Sequence, residues 1–109
     1  MEANDFHTCQ ILSVVLNKNI PVPGKSARDG MIAFYEIIDF MLDRSVNTLE
    51  VREVLPMCKT ALLGQLPWLT SVEWPTFNPD KTAICTWVER LIAKHGEIHS
   101  VSAVLSNRN

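Results

Sequence analysis

The sequence predicts an all-α single domain, mainly helical with four or five helices and room for one short C-terminal strand. Three observations point there. Apolar residues recur at three- and four-residue steps in several separate segments, which is the spacing of one helical face. Pro, Gly and Asn stand between those segments, where helices stop and turns begin. The composition, 109 residues with 47% hydrophobic and 20% charged side chains, suits a chain that buries one core. Residues 1–109 therefore read as a single helical domain, with an internal loop over 17–26 and an extended tail over 97–109.

The first helix is expected over 6–16, where Phe6, Cys9, Leu12, Val15 and Leu16 share a face. Asn4 or Asp5 suits its N-cap, because a short polar side chain can accept from the orphan amides of the first turn. The connection that follows contains Pro21 and Pro23, which remove amide donors and favour extended backbone. A second helix is expected over 27–44 with Ser26 as N-cap. Met31, Phe34, Tyr35, Ile38, Met41 and Leu42 form its apolar stripe, widened by Ile37 and Phe40. Asp29, Glu36, Asp39 and Asp43 mark its solvent side.

Asn47 and Glu50 have capping-box spacing. They predict a short helix to about Val54, and Pro56 then opens another to about Gln65, unless the break is only a kink. Residues 68–75 are expected to form one helical turn or an irregular loop. The last helix is expected over 79–95. Asn78 would cap it and Pro79 would take its first position. Ile84, Trp87, Val88, Leu91 and Ile92 lie on one face, and Gly96 is placed for a left-handed cap. In the tail, Val101, Ala103 and Leu105 alternate with small or polar residues. That pattern admits one strand, to be paired by the 20–23 region or another subunit; a frayed extension over the core is the alternative.

Charge and motifs exclude several functions. The formal net charge of −2, from 10 Lys plus Arg against 12 Asp plus Glu, is unlike a basic nucleic-acid module. Cys9, Cys58 and Cys85 form no CxxC pair, and an odd set makes no disulfide framework. The N-terminal stretch lacks a basic region followed by an apolar core, and no apolar run is long enough to span a bilayer. A cytoplasmic protein with reduced thiols is expected. His95 and His99 bracket Gly96 and Glu97, which is not the helical HExxH arrangement of a zinc protease. Gly24-Lys25-Ser26 lacks the rest of a phosphate loop. No catalytic, cofactor or metal site is expected.

Two sets of residues remain as candidates. Trp68 and Trp74 lie off any regular stripe, and with Phe77 they are candidates for partner-binding anchors, since aromatic residues dominate interface energetics. Arg52 and Lys59 are the candidate phosphate contacts of an alternative reading, a small helix-turn-helix-like DNA-binding regulator built on the helices flanking Pro56.

Segments across the chain carry a resemblance. They are Ile11-Leu12-Ser13, then Tyr35-Glu36-Ile37, then Leu55, Pro56, Cys58, Leu62, Leu63, Pro67, Trp68 and Leu69, and finally Trp87 with His95-Gly96-Glu97. In these the chain resembles a family of small uncharacterised proteins of tailed phages and prophages. The resemblance implies a source class and carries no activity. Together these readings lead to an expected non-enzymatic protein-binding module of phage or prophage type that occludes a surface of a host protein of the defence or transcription machinery. The expected partner is a host protein in the host cytosol. A homodimer stays open, nucleic acid is disfavoured, and no membrane is involved.

Overall fold

The computed structural model describes residues 3–18, 20, 27–74 and 80–104. The chain runs through strand β1 (Ala3–His7), helix α1 (Thr8–Leu16), helix α2 (Ala27–Leu42) and helix α3 (Val51–Gln65). A 3-10 turn (Pro67–Ser71), helix α4 (Lys81–His95) and strand β2 (Ile98–Ser102) complete it. The expected mainly helical architecture is therefore observed, with two short strands. None of the helices is long and apolar enough to cross a membrane, among the described residues.

The core is a layer of α1, α2 and α3 side chains. Cys9, Ile11, Leu12, Ile37, Ile38, Met41, Cys58 and Leu62 are fully enclosed. Each such aliphatic side chain contributes roughly 1.5–3 kcal/mol of burial free energy. Helix α1 is central, with seven of its nine residues buried. Its Ser13 Oγ donates to the Cys9 carbonyl at 2.8 Å and accepts from the Ile20 amide at 3.2 Å. That bond holds buried Ile20 against the helix.

The first helix begins later than its apolar spacing predicts. Residues 3–7 are a strand, and Asn4 and Asp5 lie in it instead of capping the helix. The cap is His7: its Nδ1 accepts from the Cys9 amide at 3.0 Å, and Gln10 Oε1 accepts from the His7 amide at 2.9 Å. The imidazole thus does what a Ser or Asp does in a capping box. Phe6 is buried from the strand, its ring 5.4 Å from Phe40.

The partner of β1 is β2, antiparallel, with Phe6 opposite His99 and Asn4 opposite Val101. The N-terminal residues supply the edge that the tail was expected to need; of the 20–23 region named for it, residues 21–23 lie outside the described residues. The Thr8 amide continues the ladder to the Glu97 carbonyl at 2.8 Å. The buried Thr8 hydroxyl reaches the Gly96 and Glu97 carbonyls at 2.8 and 3.0 Å. Side-chain amides occupy the outer edges. The Asp5 amide donates to Asn4 Oδ1, and the Ser102 amide and carbonyl both bond to the Gln65 side chain, at 2.7 and 3.0 Å.

Helix α2 ends at Leu42 rather than 44, because Asp43 takes a positive φ of 57°. Asp39, expected to be merely solvated, accepts from the Val46 amide at 2.9 Å and orders the exit loop. The Asn47–Glu50 box forms as a turn. Asn47 Oδ1 accepts from the Leu49 and Glu50 amides, both at 2.9 Å. Pro56 neither breaks nor starts a helix: α3 runs through it from Val51 to Gln65. Its ring is exposed, and Val54, Leu55, Cys58 and Leu62 anchor the helix on both sides. Residues 67–71 make the expected single turn. Asp80 caps α4, its Oδ1 accepting from the Ala83 amide at 2.8 Å. Asn78 and Pro79, expected there, lie outside the described residues, as do Ser26 and residues 21–25. Gly96 has φ 102° and ψ 161°. That is a positive-φ stop of extended type, not the left-handed helical cap, and still a conformation that favours glycine.

Candidate protein-contact surface

Trp68 leads the 3-10 turn and lies half-buried. Its ring stacks on His95 at 4.1 Å with planes 10° apart, and His99 tilts against it at 5.2 Å. His99 Nε2 donates to the Gly96 carbonyl at 3.2 Å. The end of α4, the turn and β2 are therefore joined through one indole. The His95 pKa is lowered, first by desolvation and then by its electrostatic neighbours Lys94 and His99. A neutral imidazole thus lies flat on the indole near neutral pH.

Trp74 is a separate feature. It meets Trp87 edge-on at 5.3 Å, and Lys18 Nζ lies 5.1 Å from its ring centre. Such a cation over an indole is worth about 0.5–1 kcal/mol at an exposed site. Lys18 also borders a small apolar hollow with Asn17, Met31 and Phe34. Beyond it, Met31 and Ile32 are 57% and 52% exposed. With Tyr35 they line an adjoining depression rimmed by Arg28, Glu36 and Asp39. Phe77 lies outside the described residues. The structure therefore does not gather the tryptophans at one place: Trp68 belongs to the histidine junction and Trp74 to the Lys18 side.

Met31 was expected in the core stripe of the second helix. It is exposed, whereas Phe34 and Tyr35 pack partly against the core and only Ile37, Ile38, Met41 and Leu42 of the helix's large apolar residues are buried in it, among the described residues. Ile32 carried the signal for this surface. It falls with Glu36 and Asp39 on the polar side of the helix, where an apolar residue is out of place.

Arg52 and Lys59, seven residues apart on α3, share a face and line one groove. The two helices expected around Pro56 are one, so the turn of a helix-turn-helix is not present between them. Cys58 and Cys9 are buried, and burial pushes their thiols up to about 11 and about 12; Cys85 and Glu97 add to the effect at Cys9. Neither buried thiol is a nucleophile near neutral pH. His7, besides capping α1, places Nε2 3.3 Å from Glu97. Among the described residues, no three His, Cys, Asp or Glu side chains converge to hold a metal ion. The chain matches no family model, and comparisons with curated proteins and with solved structures also gave no match.

Proposed function

We propose that this chain is a non-enzymatic protein-binding module of phage or prophage type, which occludes a surface of a host protein in the host cytosol and so inhibits a defence or transcription complex. The observation that carries the reading is the apolar strip at the start of α2. Met31 and Ile32 lie more than half exposed, and the strip continues through Phe34 and Lys18 to Trp74. Contiguous exposed apolar surface of this kind, bordered by charges, marks contact sites on small domains. The phage resemblance supports the source, and the burial of two of the three thiols supports work by contact.

The test is affinity capture from the native host with the full chain as bait. Met31→Asp and Ile32→Asp should abolish capture of the partner and leave the thermal midpoint nearly unchanged, because more than half of each residue is already in water. Trp74→Ala should weaken capture. Undiminished capture by the two aspartate variants would remove the reading.

A further inference from the structure

The groove between the end of α1 and the middle of α3 has a floor and two charged posts. Val14, Leu16, Leu55 and Pro56 give it an apolar base, and Arg52 and Lys59 stand over it. Both cations are exposed. Among the described residues neither has a carboxylate at ion-pair distance, in contrast to Arg44, which Glu50 engages at 2.8 Å. Pro56 has no amide proton to offer the Arg52 carbonyl. Among the described residues the groove thus offers two positive charges without an ion-pair partner and an apolar bed, on a chain whose net charge is −2. Asn17 borders both this groove and the hollow beside Met31, so the two surfaces adjoin.

We propose that this groove holds an acidic, apolar segment of the partner protein, with carboxylates on Arg52 and Lys59 and apolar side chains on the bed between them. The proposal rests on the protein-binding reading and names the chemistry of the partner. Charge complementarity selects the occupant. The two posts stand about 10 Å apart along the helix axis, the span of roughly three residues of a polyproline-II-type segment, whose three-residue turn returns every third side chain to the same face. An acidic group at every third position therefore meets both. A nucleic-acid backbone would use the same two cations and leave the apolar bed unfilled.

Fluorescence anisotropy with the full chain tests this. The probes are a labelled peptide of about four Asp-Leu-Phe repeats, the same peptide with Lys for Asp, and a mixed-sequence DNA duplex, each at physiological ionic strength. The acidic peptide binds, more weakly as salt rises, and the lysine peptide does not. The double variant Arg52→Glu, Lys59→Glu keeps its thermal midpoint and weakens the acidic peptide by about tenfold or more. Ile98→Ser, on β2 and away from both surfaces, leaves peptide binding intact. Three results overturn the proposal: the wild-type chain fails to bind the acidic peptide, the double variant binds it equally, or the duplex is bound more tightly than the peptide. If any of these occurs while host-protein capture is still lost in Met31→Asp, the binding-module reading stands and only the acidic partner falls. Capture that is indifferent to Met31→Asp removes the reading itself, whatever the peptides do.

Discussion

Replacing Thr8 by Val tests the junction that joins the two ends of the described chain. Valine has nearly the same shape, so no cavity forms and the change removes only the hydroxyl. That hydroxyl reaches the Gly96 carbonyl at 2.8 Å and the Glu97 carbonyl at 3.0 Å. Neither acceptor is stranded by its loss. Glu97 keeps the Thr8 amide at 2.8 Å, and Gly96 keeps His99 Nε2 at 3.2 Å. The cost is therefore that of a net buried hydrogen bond, about 1 kcal/mol, and not the larger penalty of an unsatisfied group. A domain of this size loses roughly 4–8 °C of melting temperature per kcal/mol. His99→Phe in the same background keeps a ring against Trp68 and takes away the remaining side-chain donor to Gly96. The double variant should then lose about 1 kcal/mol more than the sum of the singles. Urea titrations of the four proteins give all terms of the cycle. Strict additivity, or a Thr8→Val midpoint equal to wild type, would refute the junction argument.

The buried thiols give a pH-dependent prediction. Their folded pKa values, about 12 for Cys9 and about 11 for Cys58, lie above the ordinary value of 9.0. The unfolded chain therefore loses these protons first, and stability is full below pH 9.0 and declines as pH rises through 11 to 12. Cys58→Ala should flatten part of that decline in urea midpoints measured across the range. At mildly alkaline pH, a thiol reagent should label exposed Cys85 rapidly in the native protein, and all three cysteines once urea is added. Pro56→Ala should raise the free energy of unfolding by about 1–2 kcal/mol, read as a higher denaturation midpoint. It restores a helix amide for the Arg52 carbonyl, and part of the gain is lost to the freer unfolded chain. A lower midpoint would show that Pro56 packs instead of merely being tolerated.

The helices were largely legible because their signals are local. Ile84, Trp87, Val88, Leu91 and Ile92 repeat at helical spacing, and Gly96 ends the run at the residue after His95. Strand β1 was not legible, since among its five residues only Phe6 is buried. What makes it a strand is residues 98–102, at the far end of the chain. The same non-locality hid His7, whose role as a cap follows from where the strand stops. Of the contact surface, Arg52 and Lys59 could be paired from their spacing alone. The bed between them could not, because Val14 and Leu16 arrive from another helix. Met31 misled because periodicity finds the apolar face of a helix but not how far along it the core extends.

Gln65 bonds both backbone groups of Ser102, as a neighbouring strand would. Asn4 and Gln10 similarly take the outward amides of Asp5 and His7. Among the described residues the ribbon is therefore finished off by its own glutamines and asparagine, and what stays open along β2 is a gap at Ile98 and Ser100. So short an opening gives an incoming chain little to grip, and the molecule can display oily residues elsewhere on its surface without inviting fibrous growth along its sheet.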